Sequence, residues 1–205
     1  METPRKPHAI RNVLVFILVL GLVALLNLLI HEFGHCITMD SVGGGCEGVY
    51  VLPDPGFKIW HLDGFGDPYP NQWENYIGVT RYAKSPPIEW ASGLVKLMGS
   101  GTVAIISLLA LVGLYVFRPK SWIRFPLLAQ SMMFLDLLFY TILPRWFGLR
   151  HFFFIGGDSA EPLEGALRMG ITESIFIVIV LLYSLAMIAG LVNYLRQDMK
   201  PQRNA

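Results

Sequence analysis

The chain has 205 residues, 54% of them hydrophobic and 15% charged, with a formal net charge of +1 and a mean hydropathy of +0.51. Soluble domains carry roughly 25% charged residues, and the deficit here falls in long apolar runs. That excludes a water-soluble enzyme, a disordered chain and a disulfide-stapled secreted miniprotein, and no basic block or aromatic-basic stripe points to nucleic acid.

A bilayer core needs about 20 mostly apolar residues in helix. The first run, residues 13–30, continues as a helix through His31-Glu32-Phe33-Gly34-His35, so the first span is predicted over 13–38. It is longer than a signal-peptide core and lacks a small-x-small cleavage site at its end. Residues 39–89 are rich in Gly, Pro, Asp and Tyr. They contain Gly43-Gly44-Gly45 and one short strand candidate, 48–52, closed by Pro53-Asp54-Pro55-Gly56; the rest reads as irregular. A second span is predicted over 90–117 and a third over 125–143, the latter carrying Asp136. Residues 144–170 form a second loop region, and a fourth span covers 171–195. The fold class expected is an all-α membrane protein of four transmembrane helices, one polytopic domain over 1–205, with a loop region on one side.

Charge orients the bundle. Arg5, Lys6 and Arg11, then Arg118, Lys120 and Arg124, then Arg196, Lys200 and Arg203 all fall on one side of a four-span chain. Residues 39–89 fall on the other, with seven acids against Lys58, Arg81 and Lys84. The positive-inside rule then puts both termini in the cytoplasm. Trp90, Trp122 and Trp146 lie near span ends, where interfacial anchors sit. Cys36 and Cys46 form one disulfide if they face an oxidising compartment and are free thiols otherwise.

The chemistry is concentrated in His31-Glu32-Phe33-Gly34-His35. Residues i and i+4 of a helix share a face, so both imidazoles reach one ion. Glu32, one residue past the first ligand, is placed to act as general base without binding the metal. Zinc is the expected ion, because it accepts nitrogen and oxygen donors and leaves a position for water. Ionisable groups in an apolar span cost roughly 2.5 kcal/mol or more each at mid-bilayer, so their presence is a functional signal. Asn27, one turn earlier on the same face, reads either as an orienting partner of a ligand or substrate or as a helix–helix hydrogen bond.

A His-Glu-x-x-His motif in the first span of a small polytopic chain resembles the site-2 protease family of intramembrane zinc metalloproteases, in its short bacterial-type branch. The motif runs on, as in that branch, through Gly43-Gly44-Gly45 to Val49-Tyr50-Val51-Leu52-Pro53-Asp54. Ala91-Ser92-Gly93-Leu94 through Gly99-Ser100-Gly101 is similar to the branch's small-residue second span, and Gly157-Asp158-Ser159-Ala160 to its C-terminal acidic motif. The resemblance implies cleavage of peptide bonds of membrane-associated protein substrates in or near the bilayer, by a water that zinc and Glu32 activate. It also implies an aspartate from a later span as third ligand beside His31 and His35. Asp158 matches that motif, although Asp158-Ser159-Ala160-Glu161 also reads as an N-cap ahead of a short helix. Asp136 is the alternative, as a ligand or as a hydrogen-bond partner of one, and lies roughly 10 Å below the outer end of the third span. Leu62-Asp63-Gly64 matches the family's ligand sequence literally but stands in the polar loop, and His61 and His151 read as surface residues. The family's Asn-Pro-x-x-Pro-Leu-Asp-Gly sequence is not present. The rival readings are a membrane binding or regulatory protein of the same fold without turnover, against which the intact Glu32 argues, and a transporter component using Asp136.

Overall fold

The computed structural model describes residues 7–51, 57–60, 78–119, 121–148 and 159–198. Four helical segments in it are long and apolar enough to cross a membrane: Ile10–Ser41, Glu89–Phe117, Trp122–Phe147 and Glu173–Asp198. Each has at least 26 residues, about 39 Å of helix at 1.5 Å per residue, which exceeds a hydrocarbon core of about 30 Å. The protein is therefore built as a multi-pass membrane protein. Exposure agrees with that reading. Ile10, Leu14, Ile17, Leu18, Leu22 and Leu25 of the first helix are each more than half exposed, a surface that only lipid tails or another apolar partner would cover.

In chain order the elements are α1 (Pro7–Ser41), β1 (Cys46–Val51), β2 (Phe57–Trp60), β3 (Gly78–Tyr82), α2 (Glu89–Phe117), α3 (Ser121–Met132), α4 (Leu135–Phe147), α5 (Glu161–Arg168) and α6 (Glu173–Asp198). Three features differ from the sequence expectation. First, α1 runs to Ser41, so His35 lies six residues, about 9 Å, inside its end rather than at the boundary. Second, the third span is two helices. Between them the backbone tightens, with the Met133 N–H donating to the Gln130 oxygen and the Asp136 N–H to the Met133 oxygen, both at 3.0 Å. Third, the loop after α1 is not irregular beyond one strand. β1 is joined by β2 and β3 in an antiparallel sheet of order β2-β1-β3. Val49 faces Trp60 on one side and Thr80 on the other.

The helices pack around two apolar clusters. Leu111, Leu114, Leu128, Phe134, Met187 and Tyr194 join α2, α3, α4 and α6. Leu163, Ala166, Phe176 and Val180 seat α5 on α6, with Leu97 and Leu137 against them. Polar crosslinks supplement the packing. Asn27 and Gln130 exchange amide hydrogen bonds of 2.8 and 3.0 Å between α1 and α3, and the Tyr183 hydroxyl donates to the Ala104 oxygen at 2.7 Å. In an apolar surrounding such bonds contribute about 0.6 to 2 kcal/mol each. The sheet sits over the last turns of α1, to which Cys36 and Cys46 bind it by a disulfide with 5.1 Å between Cα atoms.

Candidate metal centre

His31 and His35 stand one turn apart on α1, their ring centroids 4.8 Å apart and their planes nearly perpendicular. Each ring is oriented through its Nδ1. The Nδ1 of His35 lies 2.7 Å from the Val95 carbonyl oxygen of α2. A carbonyl only accepts, so Nδ1 carries the proton and Nε2 is left with a lone pair. The Nδ1 of His31 lies 3.4 Å from Asp136 Oδ2. A carboxylate or carbonyl on the far nitrogen is the usual support of a metal-binding imidazole, fixing its tautomer and raising its basicity.

The third donor is Glu161, the first residue of α5. Its Oε2 is 3.8 Å from His35 Nε2 and accepts a hydrogen bond of 2.9 Å from the Tyr140 hydroxyl. One donor atom from each of His31, His35 and Glu161 lies within 4.8 Å of the others, so this group could hold a metal ion. Tetrahedral bonds of about 2.0–2.1 Å put donors about 3.3 Å apart, so the donors need to close by about 1.5 Å at most. Burial alone would push the Glu161 carboxyl up. The positive charge that His35 and His31 carry when protonated, the Tyr140 hydroxyl and the Lys96 ammonium outweigh it and hold the carboxyl below its ordinary range, and a cation bound to the neutral rings would supply positive charge in their place.

Two glycine contacts make this convergence possible. α5 lies directly on α2 where Gly93 meets Gly165. A Cβ on Gly93 would stand 2.5 Å from the Gly165 oxygen, and one on Gly165 2.6 Å from the Gly93 oxygen. That close crossing brings the start of α5 over the histidines. Gly99 of α2 lets both imidazoles come close to its backbone. A Cβ there would stand 2.5 Å from His31 Nε2 and still closer to His35 Nε2. Both Nε2 atoms therefore come close together against the α2 backbone, an approach that any side chain at residue 99 would block.

The Glu32 carboxylate meets the sheet, where its Oε2 accepts a 2.7 Å hydrogen bond from the Thr80 hydroxyl. His31, Glu32, His35 and Asp136 are all buried, at 9%, 7%, 4% and 7% exposure.

The structure thus brings together His31, Glu32, His35 and Asp136 of the expected residues. Asp136 stands beside His31 rather than among the three converging donors. It reaches that depth because the third span breaks just before it and because the motif lies inside α1. Asn27 is engaged with Gln130 and Val23, not with a ligand. Asp158, like His61, His151 and Leu62-Asp63-Gly64, lies outside the described residues. Glu161 was missed. It appears in the sequence only as the last residue of an apparent capping pattern, whereas the N-cap position of α5 is Ala160, which makes no side-chain cap bond. An acid opening a helix just after the span that carries Asp136 was the available signal.

Compared with protein-family models, curated proteins and solved structures, the chain matches none.

Proposed function

We propose that the protein is an intramembrane metallopeptidase that hydrolyses peptide bonds of membrane-associated protein substrates. One observation carries the reading: donor atoms of His31, His35 and Glu161 converge within an apolar helix bundle, and Glu32 is the residue next to His31. Nitrogen and carboxylate donors in this number suit zinc with one position left for water. When bound there, such an ion supplies Lewis-acid polarisation of a carbonyl and lowers the pKa of water. The resemblance of His31-Glu32-Phe33-Gly34-His35 and its flanks to site-2 proteases supports the same class.

The chain's own residues account for the rest. Val95 and Asp136 orient the two imidazoles. Glu32 takes a proton from water as the water oxygen bonds to the scissile carbonyl carbon. It passes that proton to the amide nitrogen as the C–N bond breaks, releasing an amine and a carboxylic acid, so the base is regenerated. A helical substrate has its carbonyls bonded internally and must unwind to be cut, and the sheet over α1 offers strands with which an extended segment can pair.

Orientation belongs to the same proposal. A disulfide between Cys36 and Cys46 persists in an oxidising compartment. That agrees with the positive-inside expectation for residues 39–89, and on this reading the sheet lies outside and both termini in the cytoplasm.

The test compares wild type with Glu32→Gln in defined vesicles against a reporter protein with one transmembrane segment. Gln accepts no proton but keeps the shape. The expected result is unchanged metal content with cleavage reduced by roughly 10² to 10⁴. Cleavage by Glu32→Gln at the wild-type rate would refute the mechanism.

A further inference from the structure

The two oxygens of Glu32 stand in different surroundings. Oε2 accepts the 2.7 Å hydrogen bond from Thr80 Oγ1, which also lies 2.9 Å from the backbone oxygen of Glu32. A hydroxyl has a single proton, and the shorter contact is the charge-assisted one. Oε1 lies against Gly78 instead. A Cβ on Gly78 would stand 2.6 Å from Oε1 and 3.0 Å from the carboxylate carbon. Glu32 can pack this closely on β3 only because residue 78 has no side chain.

Thr80 is itself well fixed. It sits on β3 opposite Val49 of β1, and Val49 is fully buried. Pairing continues past β3, with the Ala83 N–H on the Gly45 oxygen at 2.9 Å and the Lys84 N–H on the Gly44 oxygen at 3.0 Å. The start of β1 is tied back to α1 twice, by the Cys36–Cys46 disulfide and by the Cys46 N–H donating to Asp40 Oδ1 at 2.6 Å. A closed circuit therefore runs from α1 through β1 and β3 to Thr80 and back to α1 at Glu32. A β-branched side chain is stiff at χ1, so the hydroxyl keeps its aim.

We propose that Thr80 is the positioning residue of Glu32: it holds Oε2 and leaves Oε1 to exchange the proton. This rests on the hydrolase reading above. The terminal torsion of Glu is broad and nearly two-fold, so an unheld carboxylate would share its time among orientations, whereas one held by Thr80 keeps to one.

The experiment compares Thr80→Val, which keeps the shape and loses the hydroxyl, with Thr80→Ser, which keeps the hydroxyl. kcat, KM and metal content are measured in the full-length protein. Thr80→Val is expected to lower kcat by roughly 10- to 100-fold with KM and metal content held, and Thr80→Ser to recover most of the loss. Gly78→Ala is expected to lower kcat with metal retained. Wild-type kcat in Thr80→Val, or a Thr80→Ser as slow as Thr80→Val, would overturn the assignment. A second arm needs no cleavage at all. Thermal melting of Thr80→Val, Glu32→Ala and the double variant is expected to show that losing the hydroxyl lowers Tm when Glu32 is present and much less when it is absent. Equal drops in both backgrounds, with cleavage intact, would sink the Thr80 assignment alone. A wild type that cleaves nothing, with the melting coupling intact, would sink the hydrolase reading alone.

Discussion

Replacing Gly99 by Ala puts a methyl carbon where two imidazoles converge. Its Cβ would stand 2.5 Å from His31 Nε2 and 2.6 Å from His35 Cε1, where ordinary contact begins at 3.4 Å. Each ring would have to retreat by about 1 Å, yet the Nδ1 of His35 is held at the Val95 carbonyl and that of His31 beside Asp136. The methyl would thus push both rings off their supports and move their Nε2 donors. Loss of one outer support alone typically weakens metal binding 10- to 100-fold. Displacing both donors is expected to exceed that, so Gly99→Ala should lose at least about 100-fold in zinc affinity. The fold should survive, because Ala favours helix over Gly by about 1 kcal/mol, against an overpacking cost of typically 1–3 kcal/mol. Competition with a chromogenic zinc chelator measures the affinity, and melting in a metal chelator isolates the apoprotein's stability. Gly113→Ala is the control on the same helix, since its Cβ would meet only Phe117, at 3.8 Å. Wild-type zinc affinity in Gly99→Ala would refute the placement of the ion between His31 and His35.

Asp136→Asn keeps the shape beside His31 but removes the charge, and roughly 10- to 100-fold weaker zinc binding is expected in the same chelator competition; unchanged affinity would remove Asp136 from the site. Cysteine-accessibility mapping in a background lacking Cys36 and Cys46 is expected to label Ser85→Cys and Glu164→Cys from outside and Arg118→Cys from the cytoplasm. Labelling of Ser85→Cys and Arg118→Cys from the same side would overturn the orientation.

What could be read from the residues alone follows from the range of the forces involved. The spans were legible because hydropathy over about 20 residues is a local property, and each falls within a few residues of its helix. The pairing of His31 with His35 was legible because helical period places them on one face. β1 was legible because Val49-Tyr50-Val51 lies between turn residues. β2 and β3 were not: they acquire strand geometry by pairing with β1, and their own patterns are weak. The break before Asp136 carries no Gly or Pro to announce it. Glu161 was hidden for a similar reason. Its role comes from the crossing of Gly93 on Gly165, a contact between residues 72 positions apart, and no local pattern encodes it.

The most direct measurement is the metal-to-protein ratio of the purified chain by inductively coupled plasma mass spectrometry, for wild type, His35→Ala, Glu161→Ala and Asp158→Ala. About one zinc ion per chain is expected in wild type and in Asp158→Ala, and little in His35→Ala and Glu161→Ala, since three protein donors define such a site. Full zinc in Glu161→Ala, with zinc lost from Asp158→Ala, would contradict the ligand group of His31, His35 and Glu161.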